Sequence, residues 1–261
     1  MHFFPTPDHK KATAAVVNFC NQFHNISAIL LTCSCARGKA SPESCVDITI
    51  LLRPEVYDEI AKEILNIWDD FYQHETAIQK MLAHGKFAHI DLDLSNGVFN
   101  PDNYYHGWMS GPDTFELEVG NQIKYSIPLQ ANDKYYEELR SKWLPYYPND
   151  LAEQRLDMVM KYCINNLDHI ESCVNRKLFF QAFDRFYNAC REFLQALFIS
   201  SRKYPICYEK WIKEQIVDIL ELPDLYSEIL QLYAIPALDS NKMLENREKL
   251  LSLIKLYIYY I

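Results

Sequence analysis

Two apolar runs and the polar segment between them constrain this chain most strongly. Ala28 to Thr32 leads into Cys33-Ser34-Cys35-Ala36-Arg37-Gly38; nine residues after Ser34, Glu43-Ser44-Cys45 opens the run Val46 to Leu52, which Pro54 stops. Short continuous apolar runs bounded by turn signals read as strands buried on both faces. Gly38 is the only glycine of the first 84 residues, and it falls where the connection between the strands must turn. The second run carries Asp47 among apolar neighbours. This predicts two strands joined by a short polar turn, with an acid placed beside it.

Helical patterns surround these strands. Thr6-Pro7-Asp8 combines a capping hydroxyl, a proline at the first helical position and an acid in the first turn, and Ala12, Val16, Phe19, Cys20 and Phe23 follow at helical spacing. From Val56, the positions Ile60, Ile64, Ile67, Trp68 and Phe71 mark a long amphipathic helix running toward Gly85. Phe87 to Leu94 alternates instead, with Ala88, Ile90, Leu92 and Leu94 on one face and His89, Asp91 and Asp93 on the other, as in a half-buried strand. A turn-rich stretch follows, with Asn96-Gly97, Asn100-Pro101, Gly107 and Gly111-Pro112. Phe115 to Val119 and Gln122 to Ile127 flank Gly120-Asn121 and predict a hairpin. Beyond about residue 131 the pattern is helical, with helices expected at 149–173, 176–201, 207–220, near 224–234 and at 240–260. The expected fold is α+β: a small mixed-sheet domain over 1–130, then an all-helical bundle over 131–261.

Charge and composition narrow the partners. A net charge of −9, with no run of five or more basic residues, weighs against nucleic-acid binding, which needs basic patches to neutralise phosphates. No apolar stretch reaches the ~18 residues that read as a membrane span, and His2-Phe3-Phe4 runs into prolines without the basic and apolar regions of a signal peptide. The expectation is a cytoplasmic, reducing compartment with no membrane partner, in which the eight cysteines stay unpaired. Cys20, Cys163, Cys173 and Cys190 fall within helical patterns as small buried hydrophobes do. Cys33, Cys35 and Cys45 lack the Cys-x-x-Cys spacing of a structural zinc site.

The residues from Cys33 to Asp47 resemble the opening motif of the nucleotidyltransferase superfamily, whose core is shared with DNA polymerase beta and kanamycin nucleotidyltransferase. There, Gly-Ser ends one strand, often as Gly-Ser-x-Ala-Arg-Gly, and Asp-apolar-Asp lies on the next. Here Cys33 stands for the first glycine and Cys45 for the first aspartate. A second, shorter resemblance joins Arg202-Lys203-Tyr204-Pro205 and Lys210-Trp211 to a segment in the helical C-terminal domains of small-molecule nucleotidyltransferases. Its alternative is a kinked connection between helices with Trp211 in the core.

The resemblance implies a Mg²⁺-dependent transfer of a nucleoside monophosphate from an NTP, ATP among the candidates, to a hydroxyl of a small-molecule acceptor. Such sites gather carboxylates from adjacent strands because Mg²⁺ takes oxygen ligands and the transition state collects negative charge. It implies metal ligation by Asp47 and Asp91, with Asp93 as the alternative third acid, and a catalytic role for Asp47 and Asp91. Ser34, Arg37 and Lys39 would hold the phosphates, and Tyr204 and Lys210 would line the nucleotide side. Cys45 supplies a neutral thiol in place of a carboxylate, and Glu43 is the nearby acid that could replace it if the strand extended to reach. The other reading is a non-catalytic nucleotide-binding or interaction protein that keeps the fold without the chemistry.

Overall fold

The computed structural model describes residues 4–102, 111–239 and 241–258. The fold is α+β, with one four-stranded mixed sheet and many helices. The elements, in chain order, are α1 (Pro7–Cys20), β1 (Ile26–Leu31), α2 (Cys33–Ala36), β2 (Val46–Leu52), α3 (Tyr57–His74), α4 (Thr76–Leu82), β3 (Ile90–Ser95), α5 (Phe115–Val119), β4 (Ile127–Ala131), α6 (Tyr135–Trp143), α7 (Asn149–Asn175), α8 (Phe179–Ser200), α9 (Pro223–Leu232) and α10 (Lys242–Tyr257). Two π-helical turns, Gly120–Lys124 and Glu214–Ile219, lie among them. Gly107, expected in a turn, lies outside the described residues, as do the last residues of the 240–260 helix. Among the described residues, no helix is long and apolar enough to cross a membrane.

The chain forms two compact units, one of Met1–Asn100 and Glu118–Leu144, the other of Pro101–Leu117 and Pro145–Ile261. A boundary at 130/131 would cut the chain at the end of β4, which hydrogen-bonds to β1 in the first unit.

In the first unit the strand order is β3-β2-β1-β4. β1 pairs antiparallel with both β2 and β4, and β2 pairs parallel with β3. All six residues of β1 and six of the seven in β2 are buried, which explains their unbroken apolar character. Ile48, Ile50 and Leu52 of β2 face a core built with Ala12, Val16 and Phe19 of α1, Ile60 and Ile64 of α3, and Ile78 and Met81 of α4. Thr6 caps α1 by accepting from the His9 amide. The long helix expected from Val56 breaks at Glu75, whose carboxylate caps α4 through the Ala77 amide at 2.9 Å. Because side chains alternate along a strand, the opposite sheet face receives Asp47 and Thr49 from β2 and Asp91 and Asp93 from β3.

The hairpin expected around Gly120-Asn121 does not form. Residues 115–119 are helical, and the strand begins only at Ile127. Type I′ and II′ turns need positive φ at a central residue, and Gly120 does not adopt it. Upstream, Asp113 accepts from the Phe115 amide at 2.9 Å and starts a helical turn.

In the second unit α7 and α8 lie side by side, and a buried charge cluster ties the segment near Asp113 to α7. Arg155 donates to Asp113 Oδ1 at 2.6 Å, to the Pro101 carbonyl at 2.7 Å and to both oxygens of Glu116. Glu116 also accepts from Gln195 of α8 at 2.8 Å and from Tyr147 at 3.2 Å. With Arg155 and Glu116 at 2% and 0% exposure, removing one partner leaves an uncompensated charge that water cannot reach. Arg155→Met is expected to lower the unfolding free energy by about 3–5 kcal/mol. Adding Asp113→Asn and Glu116→Gln to it should recover part of that loss; denaturant unfolding of both variants checks this.

Candidate metal centre

The site grows from the end of β1. The Thr32 amide donates to the Asp47 carbonyl at 2.9 Å, continuing the β1–β2 ladder to the point where the chain turns. Cys33 then adopts φ +53°, a left-handed conformation that costs an L-residue roughly 1–2 kcal/mol and that glycine takes freely. The resemblance places glycine there. The sequence expectation of a plain polar turn is corrected in one detail: residues 33–36 wind into the short helix α2, and Gly38, at φ +70°, reverses the chain behind it. Its return is anchored from α1, where His9 Nε2 lies 3.0 Å from the Ser44 carbonyl, next to Cys45.

Parallel pairing sets Asp47 directly across from Asp91 and Thr49 across from Asp93. The ligand atoms of Cys45, Asp47 and Asp91 all lie within 4.8 Å of one another, and each residue is half-buried. Among the described residues this is the one such group of three or more histidines, cysteines or acids. Asp93 is exposed and stands outside it. Glu43 stands outside it too; its side chain lies over Gly85, where a Cβ would come within 3.2 Å of Glu43 Cγ. His89 Nε2 is 3.1 Å from Asp91 Oδ1, a partnership the alternation of His89 and Asp91 on one strand face already contained.

Burial and like charge shape the electrostatics. The Asp47 carboxyl is raised, first by burial and then by Asp91, against the lowering effect of hydrogen bonds from Cys45 and Cys33. Partial enclosure of its carboxyl group raises Asp93 as well, although the residue as a whole is exposed, and Asp91 adds to the effect. Burial and the Asp47 charge push the Cys45 thiol up to about 12, and Cys33 and Cys35 likewise. All eight cysteines are free thiols. Cys45 Sγ therefore acts as a donor, reaching Asp47 Oδ2 at 3.4 Å, and Cys35 Sγ donates to the Cys45 carbonyl at 3.5 Å.

Ser34 and Arg37 are half-buried on α2 and just behind it, and Lys39 is exposed. Tyr204 and Lys210 belong to the second unit. Tyr204 is fully buried, its ring 4.8 Å from that of Tyr146. Lys210 is exposed, and its carbonyl accepts from Gln215 at 2.9 Å. Gln215, which also accepts from the Ile206 amide at 2.8 Å, pins this connection from within. Trp211 is 41% exposed and is not a core residue.

The donor set decides which ion fits. Asp47 and Asp91 offer carboxylate oxygens, the donor type that hard cations take. A pair of ions would need a further carboxylate where the chain has Cys45, whose sulfur is a poor Mg²⁺ ligand. Set against protein-family models and against curated proteins, the chain matches none.

Asp47 gives a stability test. A carboxyl raised in the folded state binds its proton more tightly there than in the unfolded chain, so stability falls as pH rises through the carboxylate range. At pH 7 the ionised Asp47 is a cost. Without divalent metal, Asp47→Asn should melt above the parent at pH 7, and the gain should vanish below about pH 3.9, the unfolded aspartate value. Paired thermal melts across that range check it.

Proposed function

We propose that the chain is a nucleotidyltransferase-like protein that binds a Mg²⁺–nucleoside triphosphate, such as ATP, beside α2. Its reaction is the slow transfer of the nucleoside monophosphate to a hydroxyl of a small-molecule acceptor. The observation that carries this reading is the register that sets Asp47 opposite Asp91, with the Ser34–Gly38 segment in the connection between β1 and the strand that bears Asp47. Asp47 and Asp91 would hold the one Mg²⁺ the carboxylates fit; when bound, that ion neutralises charge on the phosphates and the departing pyrophosphate. Ser34 donates its hydroxyl to a phosphate oxygen, and Arg37 and Lys39 supply positive charge to the same groups. Asp91, held by His89, orients the acceptor hydroxyl and takes its proton. The same resemblance assigns Lys210 and Tyr204 to the nucleotide; of the two, Lys210 is exposed and Tyr204 is buried. A cytoplasmic location completes the proposal.

One observation favours a second reading. Cys45 holds its proton and spends it on Asp47, so the site carries one negative charge fewer than a three-carboxylate site. A nucleotide sensor or interaction module that has given up the chemistry is compatible with that deficit. Pyrophosphate release from ATP with Mg²⁺, across a panel of hydroxyl-bearing acceptors, separates the two. Cys45→Asp should tighten Mg·ATP binding at least about tenfold, or about 1.4 kcal/mol, in calorimetry. Unchanged binding in that variant argues against the shared metal position.

A further inference from the structure

The three ligand positions suit a different ion better than the one the resemblance implies. Mg²⁺ wants a near-octahedral set of oxygens, whereas Cys45 brings sulfur into the group whose ligand atoms lie within 4.8 Å of one another. Cys45 Sγ stands 3.4 Å from Asp47 Oδ2. In a tetrahedral zinc site, with Zn–S near 2.3 Å and Zn–O near 2.0–2.2 Å, a sulfur–oxygen edge is about 3.5 Å. Thiol and carboxylate already span such an edge. Asp91 closes the triangle from β3, and His89 contacts it at 3.1 Å, the kind of carboxylate–histidine contact that orients ligands from outside the coordination sphere.

We infer that Cys45, Asp47 and Asp91 form a three-ligand site for a thiophilic divalent cation, selecting Zn²⁺ over Mg²⁺ and leaving a fourth position open. Binding exchanges a proton for the metal: the S–H proton leaves to solvent, the sulfur lone pair makes the new bond, and nothing is oxidised or reduced. The substitution at position 45 thereby changes the ion the site selects. The site uses the residues of the nucleotide reading but requires neither a nucleotide nor turnover.

The test is a titration of the metal-free full chain with Co²⁺, followed by absorption. Binding should saturate at one equivalent, with a sulfur-to-cobalt charge-transfer band and the intense visible bands of four-coordinate Co²⁺. One equivalent of Zn²⁺ should bleach both, and about a hundredfold excess of Mg²⁺ should not, as expected for a thiolate-containing site. Cys45→Ser should abolish the charge-transfer band and weaken Zn²⁺ at least about a hundredfold, since even outer-sphere changes cost about 10–100-fold. Asp91→Asn, which keeps every thiol, should also weaken Zn²⁺ and so distinguishes this site from stray binding to cysteine. If Cys45→Ser does not fold by circular dichroism, Cys45→Asp serves in its place and should lose the band while binding Mg²⁺ more tightly than the parent. A band that survives either Cys45 replacement, a Zn²⁺ affinity unmoved by Asp91→Asn, or Mg²⁺ displacing Zn²⁺ overturns the inference. Mg·ATP binding without Zn²⁺ selectivity refutes this inference and leaves the nucleotide reading standing; Zn²⁺ selectivity without ATP binding does the reverse.

Discussion

The parallel pairing of β2 with β3 is the constraint on which the site depends. Shifting that pairing by one residue would break the facing of Asp47 and Asp91, and shifting β3 within the sheet would turn its apolar set away from the core. The register is held by the other face, where Ile48 and Ile50 of β2 and Ile90 of β3 pack with α1, α3 and α4. The carboxylates meet because the apolar residues between them are buried. Packing energy is thus converted into close approach of two like charges, and the raised Asp47 carboxyl is a consequence first of burial and then of that approach.

Two cysteines alter how that charge is managed. Cys33 takes a left-handed turn better suited to glycine, and Cys45 presents a hydrogen-bond donor to Asp47. Both thiols hydrogen-bond to Asp47 and lower the cost of its charge. The second unit solves a similar problem differently: its buried acids Asp113 and Glu116 are met by the full charge of Arg155. That cluster is closed off from solvent, whereas the Cys45–Asp47–Asp91 group is half-buried.

Much of this was legible in the residues. Continuous apolar runs identified β1 and β2, alternation identified β3 with Asp91 and Asp93 on its polar face, and the apolar pattern identified helices where α7 and α8 lie. The resemblance carried by Cys33 to Asp47 named Asp47 and Asp91 as candidate ligands, and the β2–β3 pairing sets the two opposite each other. What could not be read were effects of distant partners. The segment around Gly120 has the local signature of a hairpin, but Asp113 and Glu116 are drawn into a cluster with Arg155, some forty residues away in the chain. Tyr204, which the resemblance assigns to the nucleotide side, is buried with its ring against Tyr146, a packing its own segment does not announce. Which of Asp91 and Asp93 faces Asp47 also needed the register, because both lie on one face of β3.

The most direct measurement is an anomalous difference map from crystals soaked with Mn²⁺ and ATP and, separately, with Zn²⁺. Each map should show one principal peak between Asp47 and Asp91 at ordinary metal–oxygen distances of about 2.0–2.2 Å, and the Zn²⁺ peak should also touch Cys45 Sγ. Peaks that form elsewhere, with the two carboxylates left unbridged at saturating metal, would contradict the assignment of these residues to a common cation.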